Sequence, residues 1–311
     1  MHNSTIDLPH RRSRAERLRH TSRRLLTGGL GAALCATLTI GAAAQANAAP
    51  GRHKPIREAA EVGITTAGGG YAGWAARRQQ LLHPQSKTAQ SVAPESATVT
   101  PMASSSSVLG IDVASYQGNV NWSSWWSKGK RFAYVKATEG TSYTNPYFSQ
   151  QYTGSYNVGM IRGSYHFARP DGAAGSKQAK YFVNHGGGWS KDGKTLPGAL
   201  DIEDNYAGGR CYGNTDAQNL AWVKSFAKEY KKLTGRYPVI YTNGPFWKDC
   251  VGNSTYFKST SPLWLAYYSS KAPTTFPGGY TYYTFWQYSG SGTDLNRFSA
   301  GQSQLKKLAT G

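Results

Sequence analysis

Leu196-Pro197-Gly198-Ala199-Leu200-Asp201-Ile202-Glu203-Asp204 is apolar for most of its length and then abruptly acidic. Residues 196–202 are expected to form a strand with its carboxylates gathered at the C-terminal end. Similar apolar runs recur on either side. Upstream they are 108–113, 132–137 and 160–167, and downstream 237–241, 263–267 and 283–287. Helical patterns fill some of the gaps, at 145–158, 175–185 and, most clearly, 215–234. In the last, Leu220, Val223, Phe226, Ala227 and Tyr230 share one face, opposite Lys224, Lys228, Lys231 and Lys232. Asp216 stands in its first turn, where a helix N-terminus favours negative charge. Strand–helix alternation points to an α/β fold with a parallel sheet, and seven or eight strands suggest a closed barrel. The late strands follow one another without helices, so the helical ring is expected to be incomplete.

The sequence before residue 108 reads differently. Seven arginines between Arg11 and Arg24 precede an uncharged, mostly apolar stretch, 25–44, and then Ala46-Asn47-Ala48. This is the layout of an export signal, 1–48, with cleavage after Ala48 and a secreted, extracellular product. The glycines at 28, 29, 31 and 41 weaken the alternative of a membrane anchor. Residues 49–107, with Gly68-Gly69-Gly70 and Ser104-Ser105-Ser106-Ser107, are expected to be a propeptide or disordered linker. A short helix within 59–80 is compatible with the pattern, though Gly63 and the triple glycine interrupt it. Cys35 leaves with the signal, and Cys211 and Cys250 remain. A single pair in a secreted chain reads as one disulfide.

The chain has 311 residues, 39% apolar and 13% aromatic, and a formal net charge of +19. That composition excludes a coiled coil, a collagen-like chain and a wholly disordered one. The basic balance suggests a polyanionic partner. No Lys/Arg run threaded with aromatics appears, so nucleic acid is not expected. Neither a metal site nor a cofactor is expected.

The chemistry centres on acids at strand ends, where parallel barrels place their functional groups. Asp201 and Glu203 are two apart and share a face. Two carboxyls in a partly dry cleft repel each other, and one pKa rises. A raised carboxylic acid can protonate a leaving oxygen while an ionised neighbour stabilises a developing cation, the pairing used in glycoside hydrolysis. A solvated acidic turn or a calcium site also fits the tripeptide alone. Asp112 and Asp294 are single acids at two other strand ends. Residues 108–311 contain 11 acids against 22 basic residues, so acids at three strand ends say more together than any one does.

Gly110-Ile111-Asp112-Val113-Ala114-Ser115-Tyr116-Gln117-Gly118 resembles the opening motif of glycoside hydrolase family 25, the N,O-diacetylmuramidase lysozymes. Further matching blocks follow in order: 132–140, Gly163-Ser164-Tyr165-His166-Phe167-Ala168, Asp201-Ile202-Glu203, Tyr241-Thr242-Asn243, Trp264-Leu265-Ala266-Tyr267-Tyr268, and Trp286-Gln287-Tyr288 with Asp294-Leu295-Asn296. The resemblance covers 108–311, and nothing before residue 108 takes part in it. It implies a TIM-like (β/α) barrel that cleaves the β-1,4 bond between N-acetylmuramic acid and N-acetylglucosamine in peptidoglycan. By position, Glu203 is then the general acid, Asp201 its partner carboxylate, and Asp112 and Asp294 the rest of an acidic floor. The stretch 289–292 before Asp294 is shorter than the family's usual loop, which leaves the subsite boundaries open.

Tyr116, Tyr165, Tyr241, Trp264, Tyr267, Trp286 and Gln287 lie near strand ends and are candidates for sugar binding, by stacking or hydrogen bonding. About half of the aromatics are expected to fill core instead. His166 follows Tyr165 and so points away from it; Tyr165 is expected at the barrel mouth and His166 in a structural role. The expected partners are glycan strands and anionic wall polymers, for a monomer. A glycan-binding module that does not cut is the competing reading.

Overall fold

The computed structural model describes Ala59 and residues 64–66, 68–82 and 107–311. The expected export signal, 1–48, lies outside the described residues, as does most of 49–107. Helix α1, Trp74–Leu82, comes first, followed by β1 (Val108–Val113), α2 (Trp122–Ser127), β2 (Phe132–Glu139), β3 (Tyr143–Thr144), α3 (Phe148–Asn157), β4 (Ile161–Phe167) and α4 (Gly175–Phe182). The second half runs β5 (Ala199–Asp201), α5 (Asp216–Thr234), β6 (Val239–Asn243), α6 (Gly244–Cys250), β7 (Leu263–Ala266), β8 (Phe285–Ser289), β9 (Asp294–Phe298) and α7 (Gln302–Thr310).

Eight of these strands close a ring in the order β1, β2, β4, β5, β6, β7, β8, β9 and back to β1, while β3 pairs with β2 outside it. The fold is therefore the expected TIM-like barrel, with one correction to an all-parallel sheet. β9 runs antiparallel to both β8 and β1. The cause is the short connection between Ser289 and Asp294: four intervening residues can turn a hairpin but cannot carry a parallel crossover. No helix lies between β7 and β9 beyond one short 3-10 turn, which leaves the helical ring incomplete.

Alternation along each strand separates two apolar sets. Phe132, Tyr134, Tyr165, Tyr241, Trp264, Phe285 and Phe298 fill the barrel, and Leu305 and Ala309 of α7 pack against them. Gly110 and Gly163 make room for these rings, since a Cβ would come within 2.6 Å of Phe132 and 2.4 Å of Tyr134. Outward residues such as Leu200 and Ile240 pack against Phe182 of α4 and Trp222, Val223, Phe226 and Tyr230 of α5. That helix starts where the sequence indicates: Thr215 caps it in a reciprocal box with Gln218. Gly235 ends it in the left-handed conformation.

Cys211, in the loop after β5, is bonded to Cys250, the last residue of α6, with Cα atoms 5.2 Å apart. Asn219 Nδ2 donates to the carbonyl oxygens of both cysteines. Arg210 Nη1 reaches Asp249 beside them at 2.7 Å. The two loops are thus pinned by three kinds of link at one point.

Candidate active site

Four buried acids meet at the C-terminal mouth of the barrel. Asp112 lies on β1, Asp201 ends β5, Glu203 follows two residues later, and Asp294 opens β9. Asp112 and Asp294 face each other across the β1–β9 ladder. Asp112 Oδ1 accepts from Gln287 Nε2 at 3.0 Å and from Asn296 Nδ2. Neither Asp201 oxygen meets a donor at ordinary hydrogen-bond geometry among the described residues.

Burial raises all four carboxyls. It pushes Asp112 up to about 7, against the two amide donors that favour its ionised form. Burial, and then the charge of Glu203, hold Asp201 well above the usual carboxylate range. Glu203 rises to about 8 through burial, opposed by the backbone N–H groups of Gly73 and Ala75. Asp294 is also held well above the usual range, by burial and the Asp112 charge, with Arg77 pulling the other way. Groups this close cannot all ionise together, so the cluster retains protons at a pH where isolated carboxyls have lost them.

A second polar group lines the same mouth. Lys136 Nζ lies 2.7 Å from Glu139 Oε2, both side chains buried. Tyr206 Oη donates to Glu139 Oε1. Three residues apart on a regular strand would point to opposite faces. The β2–β4 register shifts between Lys136 and Thr138, and this bulge turns both charges the same way. Tyr241 Oη donates to Gln287 Oε1 at 2.8 Å, and Tyr268 Oη lies 3.0 Å from the same oxygen, its single proton shared between that oxygen and the carbonyl of Gly73; together they fix the amide that holds Asp112.

This acidic mouth has relatives. The model of "Glycosyl hydrolases family 25" matches residues 111–296. The chain belongs to that family. Lysozyme M1 of Streptomyces globisporus is 42% identical over 293 residues, covering 92% of this chain and 93% of that protein. The N,O-diacetylmuramidase of Chalaropsis sp is 49% identical over 210 residues, covering 66% of this chain and all of that protein. A family GH25 lysozyme from Aspergillus fumigatus superposes with a TM-score of 0.65 at 45% identity, over 66% of this chain and 100% of that one. This family 25 chain is a glycoside hydrolase of the muramidase type. The likeness to Lysozyme M1 extends further than residues 108–311, so the expectation that nothing earlier takes part is corrected.

Within the family 25 site, Tyr116, Tyr165, Tyr241 and Gln287 reach the acidic mouth, as their hydrogen bonds there show. Tyr267 is 47% exposed, nearer the rim. Two expected sugar platforms are placed elsewhere. Trp264 is fully buried among Tyr134, Tyr165, Tyr241 and Phe285, with its indole donating to Asn296 Oδ1 at 2.8 Å; it is core. Trp286 alternates with the inward Gln287, packs on Tyr283 and Tyr288, and is turned away from the mouth. His166 points outward as alternation requires, held by Thr138 Oγ1 and Gln178 Oε1, and burial lowers its imidazole to about 3. The sequence reading missed Lys136, Glu139, Tyr206 and Tyr268. A lysine inside an otherwise apolar strand was the available signal for the first two.

Proposed function

We propose that this enzyme hydrolyses the β-1,4 bond between N-acetylmuramic acid and N-acetylglucosamine in peptidoglycan, with Glu203 as general acid and Asp201 as partner carboxylate. The observation that carries the assignment is geometric: Asp201 and Glu203 stand two residues apart at the C-terminal end of β5, both buried, in the mouth that Asp112 and Asp294 also line. A general acid must hold its proton when substrate arrives, and burial favours that for Glu203. Glu203 then protonates the glycosidic oxygen as the bond to the anomeric carbon breaks. Asp201, with the Glu203 carboxyl as its close partner and no amide or backbone donor among the described residues, is suited to stabilise the cation that develops. It can do so by attacking the anomeric carbon or by accepting the N–H of the substrate's N-acetyl group while that group's oxygen attacks. Asp112, fixed by Gln287 and Asn296, and Asp294 complete the acidic floor. Mass analysis for a glycosyl adduct on Asp201 separates the two routes.

Residues 1–48 serve as the export signal in this reading. The Cys211–Cys250 bond supports it, since such bonds persist in oxidising compartments. The basic surface favours walls carrying anionic polymers, and the enzyme acts as a monomer. Glu203→Gln, made in the barrel alone, residues 107–311, tests the core of the proposal. It is expected to keep the fold and glycan binding and to lose release of reducing ends by at least ~10²-fold relative to the unchanged barrel. Near-unchanged release by a folded variant would move the acid role elsewhere. No release by the unchanged barrel, with glycan still bound, would leave the binding-module reading standing.

A further inference from the structure

The mouth of the barrel is filled by this chain's own residues 68–75. Gly73 N donates to Glu203 Oε1 at 2.8 Å and Ala75 N to Glu203 Oε2 at 3.1 Å. These N–H groups belong to the start of α1, where a helix favours a negative charge. Gln287 Nε2 donates to Ala72 O at 3.2 Å and Tyr268 Oη to Gly73 O at 3.1 Å. Tyr116 Oη donates to Gly69 O at 2.6 Å, and Lys136 Nζ to the carbonyls of Gly68, at 2.9 Å, and Gly70. Of the four acids Glu203 is the one that this backbone meets, and Gln287, Tyr268, Tyr116 and Lys136 around it are met as well.

The glycines that look like linker make this approach feasible. A Cβ on Gly70 would lie 2.8 Å from Tyr206 and 2.9 Å from Phe167. One on Gly73, which has a φ of +95°, would lie 2.2 Å from Tyr268 Oη and 2.4 Å from Gln287 Oε1. The ends are anchored differently. Ile64, Tyr71, Trp74 and Ala75 pack on Ala114, Phe167 and Tyr206, and Trp74 Nε1 donates to Asp204 O at 3.0 Å. The charges of Arg77 and Arg78 act on Asp294 and Asp204. Apolar anchors, backbone pairing and opposite charge all support one docked position.

We propose that residues 64–82 are an inhibitory segment seated in the glycan cleft of its own barrel, so that the chain is a latent hydrolase whose activity appears when the segment is displaced. This rests on the muramidase reading. Glycan and segment compete for the same donors, and the seated segment leaves Glu203 no access to a glycosidic oxygen. The barrel does not need the segment for its fold, because the Aspergillus fumigatus and Chalaropsis proteins match 66% of this chain over their whole length.

The test compares release of reducing ends from peptidoglycan by the full chain, by full-chain Gly70→Leu and Gly73→Val, and by the barrel, residues 107–311. Both variants and the barrel are expected to exceed the full chain at least tenfold. Equal rates for all four would overturn the proposal. A peptide of residues 59–82 is also titrated onto the barrel. Binding that competes with a glycan oligosaccharide and is weakened at least tenfold by Gly73→Val supports it, and absence of binding overturns it. Should no form release reducing ends, the muramidase reading fails, and the peptide titration still decides the fate of the segment.

Discussion

Asp112 and Asp201 are both inward acids at strand ends, three strands apart around the ring, and both are removed from water. Their surroundings differ in kind. Asp112 has two side-chain amides aimed at one oxygen, and those amides are themselves held by Tyr241, Tyr268 and Trp264. Asp201 meets no amide, hydroxyl or backbone donor among the described residues, and its close partner is the carboxyl of Glu203. Burying a carboxyl without such donors is costly, and proteins normally provide them. The contrast teaches that equal burial can serve two ends. One acid is a fixed part of the framework, and the other is left with hydrogen-bonding capacity for something that arrives from outside.

The sharpest way to break this contrast is to neutralise the acid without such donors. Asp201→Asn, read in a background freed of residues 64–82, is expected to reduce turnover by on the order of 10²-fold. Thermal stability should stay level or rise, because an ionisable buried carboxyl is replaced by a neutral amide of nearly the same shape. A loss of stability with little loss of turnover would reverse the roles assigned to Asp112 and Asp201. The converse change is Asp112→Ala, which leaves the amides of Gln287 and Asn296 without their shared acceptor. It should cost about 2 kcal/mol in a denaturant titration, from the desolvation of unpaired buried donors. A cost within error of zero would mean that the amides find other partners and do not form a framework.

The smallest effect sharpens the comparison through pH. All four folded-state pKa values lie above those of an unfolded chain, near 4 for carboxyls. The folded state therefore binds more protons between pH ~4 and the raised values. Stability from this source is fully present below the unfolded pKa and is lost as pH rises through the folded ones, about 7 for Asp112 and about 8 for Glu203. The melting temperature should fall between pH 5 and pH 9, and Asp201→Asn should shrink that fall. Asp112→Asn should shrink it less, since amide donors already offset part of the Asp112 shift. Melting curves for the three proteins at both pH values check this, and an equal effect of the two substitutions would count against it.

The barrel and its acids were legible because both depend on local pattern: apolar runs of strand length, a helix with a marked face, and carboxylates where such runs end. What escaped depended on geometry that pattern does not encode. β9 was hidden because a tight hairpin gives no crossover to announce a strand. Lys136 and Glu139 were hidden by a bulge that overrides simple alternation. Trp264 and Trp286 lie near strand ends in sequence, yet one falls a layer too deep and the other on the wrong face. Gly68-Gly69-Gly70 was read as spacer because glycine signals conformational freedom, while here it supplies thinness, the property a backbone needs to lie against Phe167 and Tyr206.

The bulge in β2 also bears on what a gene encoding this chain can tolerate. Point changes along Phe132–Glu139 alter one side chain each, and many will be absorbed. Loss of the Ala137 codon would leave Lys136 opposite Tyr165 and Thr138 opposite His166, now in strict alternation, with Lys136 and Glu139 two apart and still on one face. Length is therefore negotiable at this point of the wall, whereas the two charges must keep a common face.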